Sequence, residues 1–338
     1  MIDALLTLPP PALQTGDLAR LAALHYGVTG TLTPLTSERD LNHRLTTASG
    51  ESFVLKLSNP AEPATMTAFQ TAALQHVAGR SPTPRVIPAL SGQPVTPTPH
   101  GALRLLTWAD GTPLHATTPS AAQRGAVGRA LATLTAALAD FTHPAADHIL
   151  LWDIKQVPRL APLLAALPNA ALRDQASAFI QRFTADIAPQ LTTLPTQIVH
   201  ADFNPHNLLT APDDPTKITG ILDFGDMVRT PRICDLAIAA AYQIDPADPL
   251  QSLAPLIAGY HAILPLTQPE TALLHDLITA RMIATLVITG WRAARYPANA
   301  AYILRNAATA RAGLAAFAAL DPTRASAQFA DACERVPP

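Results

Sequence analysis

The sequence predicts an α+β protein of two lobes, a small antiparallel sheet followed by a larger and mostly helical part. Short β-prone segments separated by turn signals fill the N-terminal third, whereas alanine and leucine repeat at helical spacing from Ala121 onward. The length of 338 residues also exceeds the usual size of one domain. We therefore place a boundary near Thr107, with residues 1–107 as the first lobe and 108–338 as the second.

Composition and charge exclude several classes of protein. The net charge is -2, so nothing predicts a nucleic-acid or membrane surface. Cys234 and Cys333 form neither a metal pattern nor a disulfide framework, which favours a reducing cytoplasm. The segment Met1–Leu6 lacks the basic region of a signal peptide, and the longest apolar stretches, such as Met282–Gly290, fall short of the roughly twenty residues that cross a bilayer. We expect a soluble, cytoplasmic protein and leave its oligomeric state open.

The first lobe is predicted from alternating β-prone runs and two helical runs. In order, the elements are a helix at 13–26, strands at 31–36, 41–46 and 52–57, a helix at 64–77 and further strand after Pro84. The turn signal Ser49-Gly50 joins the last two of the three strands. These strands are expected to form one small antiparallel sheet.

The second lobe is predicted to be helical around a short β segment. Helices are expected at 121–141, within 150–167, and at 170–191, 231–242, 250–263, 270–296 and 300–320, with a strand at 218–222. A weak tail without a predicted element follows Leu320.

The chemistry of the chain concentrates between Ile198 and Asp226, in loops at predicted strand ends. Asp202 offers a carboxylate, Asn207 an amide oxygen and Asp223 a second carboxylate. Transfer of a γ-phosphoryl group to a hydroxyl needs a carboxylate beside the nucleophile and hard oxygen ligands for Mg²⁺ on the nucleotide phosphates. The order His-x-Asp-x4-Asn followed by Asp-Phe-Gly is typical of kinases, with Ala201 where protein kinases carry Arg. The alternative is that these residues only cap turns.

Residues of the first lobe are candidates for nucleotide binding. Lys56 lies among apolar residues of the third strand, at the position of the lysine that contacts the α- and β-phosphates in kinases. Ser37 and Asn42, in the first turn of the sheet, offer a hydroxyl and an amide to phosphate oxygens, although an ordinary polar turn has the same composition.

The segment between the lobes is expected to read the nucleotide base. The backbone of Leu106, Thr107 and Trp108 would present a donor and an acceptor there. A kinase-like first lobe also supplies a Glu from its helix to pair with the strand lysine. Here Gln70 has that position and Glu62 lies near the helix start, so the partner of Lys56 is left open.

Two further sets of polar residues occur in predicted buried helices. Asp235 is expected to brace the catalytic loop by accepting hydrogen bonds from its backbone or from His200, because an unpaired buried charge is costly. Arg281 and Arg292 interrupt the apolar run of the longest helix. Internal pairing is the ordinary explanation for such arginines, and bidentate binding of a substrate carboxylate by one of them is the functional explanation.

With these residues assembled, the chain resembles the aminoglycoside phosphotransferase and choline kinase-like superfamily from about residue 15 to 318. Within it, the chain is similar to hydroxylysine kinases and to the related kinase domains that can be fused to aminotransferases. The shared features are Ser37-Glu38-Arg39-Asp40-x-Asn42, Phe53-Val54-Leu55-Lys56, Leu105-Leu106-Thr107, Trp152-Asp153, the loop from Asp202 to Asn207, Ile221-Leu222-Asp223-Phe224-Gly225-Asp226, Ala280-Arg281 and Pro297-x-Asn299.

The resemblance implies a protein-kinase-like fold, ATP or GTP as the donor, and a small acceptor such as an amino alcohol or a hydroxy amino acid of the hydroxylysine kind. By position, it implies that Asp226, Tyr242 and Arg281 hold the acceptor near Asp202. The chain departs from the superfamily pattern at Ala201, where Gly is usual, and at Gln70.

Two alternatives keep the same fold, namely a homoserine kinase and an aminoglycoside kinase. A polycationic aminoglycoside favours an acidic pocket, but Glu270 and Asp276 are the only acids between Leu250 and Leu320, so this alternative ranks lower. A nucleotide-binding pseudoenzyme is a third alternative, although the residues whose loss would indicate it are present. A protein kinase is rejected, because the segment after Asp223 leaves no room for an activation loop.

Overall fold

The structure, a computed structural model, describes residues 11–37 and 39–335. Its α-helices are α1 (Thr15–Tyr26), α2 (Ala64–Val77), α3 (Ala121–Ala137), α4 (Ala170–Arg182), α5 (Ala188–Leu191), α6 (Ile233–Ala241), α7 (Pro249–His261), α8 (Gln268–Arg295), α9 (Ala300–Ile303), α10 (Ala307–Ala318) and α11 (Pro322–Glu334). Its strands are β1 (Thr31–Leu35), β2 (Leu41–Thr46), β3 (Ser52–Leu57), β4 (Val86–Ile87), β5 (Thr96–Thr98), β6 (Gly101–Thr107), β7 (Thr112–Pro113), β8 (Thr196–Val199), β9 (Leu208–Ala211), β10 (Asp214–Ile221) and β11 (Val228–Pro231).

The first sheet is antiparallel, with the strand order β1-β2-β3-β6-β4 and with β5 beside β6. Along β3 the side chains alternate, so that Phe53, Leu55 and Leu57 are buried in a core shared with α1. Lys56 therefore points to the opposite face. The register places it between Asn42 on β2 and Arg104 on β6, so three polar side chains cross the sheet side by side.

The second part of the chain packs helices around two small sheets, β10-β9-β7 and β11-β8. These sheets carry the loops from Ile198 to Asp226, and α8 packs against α6, α10 and α11 in the main hydrophobic core. By length and composition, α8 is the one described helix that would suffice to cross a bilayer, but 83% of its apolar window is buried inside the protein. The sequence analysis considered only uninterrupted apolar stretches. It missed the length of this apolar helix because Asp276 and Arg281 interrupt the run. The burial fits a core helix.

The predicted α+β arrangement of a sheet-rich first part and a helix-rich remainder is confirmed. The predicted weak tail is wrong, because α11 occupies it: Asp321 caps the helix, and Ala325, Phe329 and Ala332 are buried. The helix expected at 300–320 is divided into α9 and α10, and residues 154–166 form a 3-10 helix that contains two prolines. The segment Met1–Leu6, used above for the signal-peptide argument, lies outside the described residues.

Candidate active site

A cavity of about 480 Å³ lies between the face of β3 that carries Lys56 and the loops that precede and follow β9 and β10. Most of the residues predicted to have a functional role line it: Ser37, Asn42, Lys56, Asp202, Asn207, Asp223, Asp226, Tyr242 and Arg281, together with Arg292 and the two candidate partners of Lys56, Glu62 and Gln70. The predicted base-reading residues Leu106, Thr107 and Trp108 and the predicted supporting residues His200 and Asp235 are outside the lining.

The carboxylate of Asp202 is held from several directions. Asn204 Nδ2 donates to Oδ1 over 2.9 Å, and Asn207 Nδ2 donates to Oδ2 over 2.8 Å. Asn207 also donates to the carbonyl oxygen of Asp202 over 3.0 Å, which closes the loop upon itself. Arg281 Nη2 approaches Oδ1 at 3.3 Å. These contacts fix the direction in which the carboxylate faces the cavity.

The charge state of Asp202 is set by opposing effects. Burial raises its pKa, the nearby carboxylate of Asp226 raises it further, and Arg281 lowers it, with a resulting pKa of about 6. The group is thus ionised at neutral pH but far more basic than an ordinary aspartate. A carboxylate with this pKa suits proton acceptance from a hydroxyl.

The backbone of this loop is anchored by two buried side chains. Asp235 accepts hydrogen bonds from the backbone N–H groups of His200 and Ala201, at 3.1 and 2.9 Å. The His200 ring lies between the two functional loops, because Nδ1 accepts from the Asp202 backbone N–H at 3.2 Å and Nε2 contacts the carbonyl oxygen of Leu222 at 2.9 Å. These bonds require a neutral ring protonated at Nε2. Ala201 adopts a φ of 61°, in the left-handed region that favours glycine.

Asp223 and Asn207 present oxygen atoms to the cavity. Loss of water around Asp223 opposes its ionisation, but Lys56 and Arg39 outweigh this effect and lower its pKa. The nitrogen of Asn207 is used by Asp202, which leaves its amide oxygen as an acceptor. One carboxylate and one amide oxygen suit a hard cation such as Mg²⁺. No group of three or more His, Cys, Asp or Glu able to hold a metal occurs in the described part of the chain, so such a cation would take its other oxygen ligands from water or from a bound nucleotide.

Lys56 has a partner that sequence reasoning missed. Its Nζ lies 2.9 Å from Asp40 Oδ2, and Asp40 and Asp223 raise its pKa against the effect of burial. Neither Gln70 nor Glu62, the two candidates from the sequence, is the partner of Lys56. Gln70 instead donates to Glu62 over 2.9 Å and accepts from Arg104 over 3.1 Å.

Asp40 was quoted in the sequence only as part of a motif, in the turn after β1. The signal that pointed to it was its position: it directly precedes β2, whose Asn42 lies across from Lys56.

The turn between β1 and β2 reaches the loop after β10. Ser37 Oγ accepts from the Asp40 backbone N–H at 3.2 Å. Arg39 Nη2 donates to Asp226 Oδ1 over 2.9 Å, across 187 residues of sequence. This ion pair joins the turn after β1 to the loop after β10 at the edge of the cavity.

The predicted base-reading segment is engaged in the first sheet. The backbone N–H of Thr107 donates to the carbonyl of Arg85 at 2.9 Å, and that of Trp108 to the carbonyl of Ser52 at 3.4 Å. Leu106 is paired with Val54 and Val86 in the sheet. The structure therefore does not bring these three residues into the cavity, and their role stays a prediction.

Arg281 is embedded among the site residues and is only 2% exposed. Besides Asp202, it donates to the hydroxyl of Tyr242 at 3.2 Å and to the carbonyl oxygen of Trp152 at 3.1 Å. Its guanidinium lies 5.0 and 5.6 Å from the ring centres of Trp152 and Tyr242. Trp152 and Tyr242 hold Arg281 against Asp202, which suits a positioning role more than an open contact with substrate.

One end of the cavity was not predicted as a set. Its residues come from the C-terminal half of α8, from α9 and from the segment that joins α9 to α10: Thr285, Thr289, Arg292, Tyr302, Ile303, Arg305 and Asn306. Only Arg292 had been singled out in the sequence. The available signal was spacing, because Arg281, Thr285, Thr289 and Arg292 recur at intervals of three and four along one helix face. We refer to these seven residues as the arginine end of the cavity.

The fold is that of a two-lobed phosphotransferase, and its cavity lies between the sheet that carries Lys56 and the loops from Ile198 to Asp226. The chain belongs to the phosphotransferase enzyme family, whose sequence profile matches residues 31–275. It is therefore a phosphotransferase with a hydroxyl group as acceptor.

Among individual proteins, it is 30% identical over 323 residues to the hydroxylysine kinase of Danio rerio, covering 90% of each chain. It is 28% identical over 309 residues to the hydroxylysine kinase of Mus musculus, covering 82% of this chain and 81% of that one.

Solved structures share the same fold at low identity, which confirms its protein-kinase-like character. An amicoumacin kinase in complex with AMP-PNP, Ca²⁺ and Ami superimposes with a TM-score of 0.68 at 14% identity, covering 92% of this chain and 97% of that one. A microcompartment-associated aminopropanol kinase does so with a TM-score of 0.68 at 19% identity, covering 89% and 95%.

Proposed function

We propose that this phosphotransferase transfers the γ-phosphoryl group of ATP or GTP, with Mg²⁺, to the hydroxyl of a small amino-bearing acceptor of the hydroxylysine kind. The observation that carries the proposal is the Asp202 carboxylate. It lines the cavity, has a pKa of about 6 and is oriented by Asn204, Asn207 and Arg281. Further support comes from the hydroxylysine kinases that match most of the chain.

Different residues of the chain have different roles in the proposed reaction. Asp202 accepts the hydrogen bond of the acceptor hydroxyl and takes its proton, as the oxygen–phosphorus bond to the acceptor forms and the bond to the leaving nucleoside diphosphate breaks. Lys56 contacts the nucleotide phosphates, and Ser37 and Asn42 offer polar groups from the turn beside them.

Asn207 and Asp223 would hold the Mg²⁺ ion through oxygen atoms. Bound Mg²⁺ supplies charge neutralisation on the phosphate oxygens. The lowered pKa of Asp223 keeps this ligand ionised over the working pH range.

The acceptor is expected to lie between Asp202 and the arginine end. A β-amino alcohol group places an ammonium next to the reacting hydroxyl, and the carboxylates of Asp202 and Asp226 both line the cavity. Tyr242 closes the wall beside Arg281. The arginines at the far end disfavour a polycationic aminoglycoside, since like charges oppose its entry.

The test is a coupled assay of ADP or GDP release with Mg²⁺, using ATP and GTP over 5-hydroxylysine, homoserine, ethanolamine, choline and aminoglycosides. Turnover with one small amino-bearing acceptor is expected, with the phosphorylated product identified by ³¹P NMR. Turnover with aminoglycosides alone would contradict the proposal. Nucleotide binding without turnover of any acceptor would favour the pseudoenzyme alternative.

The metal assignment has its own test. In Asp223→Asn the charge of a proposed Mg²⁺ ligand is removed while the size is kept, so Mg²⁺-dependent binding of a nucleotide analogue should be lost in calorimetric titration. Asp213→Asn, at an exposed position outside the cavity lining, is the matched control. Binding retained at the wild-type affinity would remove Asp223 from the metal site.

A further inference from the structure

We propose that Arg39 is a further catalytic residue, which leaves Asp226 for the phosphates of the bound nucleotide and so releases Asp226 to bind the ammonium of the acceptor. The proposal rests on the proposed function, because it concerns the two substrates of the same reaction. It assigns a role to a cation that the sequence analysis quoted only as part of a motif.

The first argument is the position of the guanidinium. Arg39 lies in the turn after β1 and lines the cavity together with Lys56, Asp223 and Asp226. Its Nη2 is 2.9 Å from Asp226 Oδ1. A Cβ atom on Gly225 would lie 3.2 Å from the same nitrogen and 3.0 Å from Asp223 Oδ1, so the guanidinium lies over Gly225 and near both carboxylates. Arg39 is therefore beside the residue assigned to the metal on the nucleotide phosphates.

The second argument is that Arg39 and Lys56 act on the same carboxylate. Burial raises the pKa of Asp223, but Lys56 and Arg39 outweigh this effect and lower it. Burial likewise opposes the charge of Arg39, but Asp226 and Asp223 outweigh it and raise the pKa of Arg39, which stays charged. Because Lys56 is assigned to the nucleotide phosphates, a second cation beside the same carboxylate has access to the same phosphate oxygens. Arginine binds phosphate through two parallel hydrogen bonds.

The third argument is that Asp226 engages only part of the Arg39 side chain. A guanidinium carries five N–H donors, and its only hydrogen bond or ion pair within residues 11–37 and 39–335 is the one to Asp226. The side chain is 26% exposed. The backbone, in contrast, is held in place, because the carbonyl oxygen of Arg39 accepts from Asn59 Nδ2 at 3.2 Å. The guanidinium can therefore change its partner while the turn stays in place.

The fourth argument is what the exchange would release. Asp226 lines the cavity and lies close to Asp202, since it is the next cause after burial of the raised pKa of Asp202. While Asp226 is paired with Arg39, much of its charge is neutralised. Once the phosphates take Arg39, that negative charge is available to an ammonium beside the reacting hydroxyl. Binding of the nucleotide should therefore favour binding of the acceptor, and the reverse.

The alternative is that the ion pair is a fixed bridge between the turn after β1 and the loop after β10. The two explanations predict opposite signs. If the pair is a fixed bridge, loss of either partner weakens nucleotide binding, because the turn is no longer held. If Arg39 exchanges partners, loss of Arg39 weakens nucleotide binding, whereas loss of the Asp226 charge strengthens it.

The test measures nucleotide binding to the full chain by calorimetry with Mg²⁺, using the non-hydrolysable triphosphate analogues AMP-PNP and GMP-PNP. Arg39→Met should raise their Kd by about ten- to a hundredfold, the range for charge-assisted hydrogen bonds, with a smaller change for ADP and GDP. Asp226→Asn should lower the Kd by about two- to fivefold, because nucleotide binding no longer breaks a partly exposed ion pair. Weaker binding in both variants would show a fixed bridge and overturn the proposal.

A double variant separates the exchange from a general change of charge. In Arg39→Met/Asp226→Asn the gain from Asp226→Asn should disappear, whereas a gain from weaker repulsion of the phosphates would persist and overturn the proposal. Asp202→Asn removes a cavity carboxylate that pairs with Arg281 instead, so it should not lower the nucleotide Kd. Arg85→Met, at an exposed position outside the cavity lining, is the matched control for Arg39→Met and should change neither Kd.

Binding of the acceptor separates this proposal from the proposed function. In the wild type, 5-hydroxylysine should bind about two- to fivefold more tightly with AMP-PNP or GMP-PNP than with AMP or GMP, and Arg39→Met should lose the difference. Equal affinities in the wild type would contradict the release of Asp226. If 5-hydroxylysine does not bind, the proposed acceptor fails, and the nucleotide titrations still decide the exchange. If 5-hydroxylysine is phosphorylated but Asp226→Asn binds the triphosphate analogues more weakly, the proposed function stands and the exchange is wrong.

Discussion

The catalytic end and the arginine end of the cavity differ in how their side chains are held. At the catalytic end, Asp202 receives hydrogen bonds from Asn204, Asn207 and Arg281, and the loop backbone is bound by Asp235. At the arginine end, the groups come from α8, from α9 and from the segment after α9, and Arg305 is exposed. The catalytic end is a rigid, preorganised arrangement of the kind that catalysis requires. Changes at the catalytic end should therefore alter turnover.

The largest expected effect is at Asp202. Asp202→Asn keeps the shape but removes the proton acceptor, so kcat should fall by about 10²–10⁴-fold, the usual contribution of general base catalysis. Nucleotide binding should be retained, because the phosphate-facing Lys56 is unchanged. Steady-state assays and calorimetry measure the two quantities. A kcat within a few-fold of wild type would contradict the assignment of Asp202 as the proton acceptor.

Substitution of Asp235 tests whether its hydrogen bonds hold the loop that carries Asp202. Asp235→Ala leaves two buried backbone N–H groups, those of His200 and Ala201, without their acceptor, at about 1–3 kcal/mol each. A loss of several kcal/mol in the free energy of unfolding is expected in urea titration. Asp213→Ala, at an exposed surface position, is the control and should have little effect. Equal free energies of unfolding in the two variants would show that contacts other than those of Asp235 anchor the loop.

Substitutions of Lys56 and Asp40 test the proposed contact with the nucleotide. Lys56→Met should raise the KM for the nucleotide by about ten- to a hundredfold, since a charge-assisted contact to phosphate is lost. Asp40→Asn removes the partner 2.9 Å from Lys56 and should raise the same KM by less, because the lysine remains but is less well positioned. Acceptor KM should be nearly unchanged in both. A larger effect of Asp40→Asn than of Lys56→Met would contradict the assignment.

The smallest expected effect is a shift in pH dependence. Burial and Asp226 raise the pKa of Asp202 to about 6, and protonation below that pH removes the acceptor, so kcat/KM should fall as pH decreases through about 6. Arg281 lowers this pKa, so Arg281→Gln should move the acid limb to higher pH, together with a loss of kcat from poorer positioning. An unchanged acid limb in Arg281→Gln would show that this arginine does not act on Asp202.

The meeting of Asp202, Asn207 and Asp223 in one cavity was predictable, because these residues are near one another in sequence and their order is typical of one chemistry. Asp202, Asn207 and Asp223 lie within 22 residues and line one cavity. The partner of Lys56 was not predicted, because the pairing of Asp40 depends on how the turn before β2 folds over β3. The helix α11 was missed because its four buried residues are small or widely spaced in a polar, alanine-rich segment. The arginine end depends on tertiary packing of α8 against the segment after it, which no local motif encodes.

The most direct test of this account measures kcat and nucleotide affinity together in Asp202→Asn and Arg39→Met. With 5-hydroxylysine as acceptor, the account predicts that Asp202→Asn loses turnover but binds the triphosphate analogue within a few-fold of wild type. It predicts that Arg39→Met binds that analogue about ten- to a hundredfold more weakly. If Asp202→Asn keeps its turnover, or loses nucleotide affinity as much as Arg39→Met does, the account is wrong.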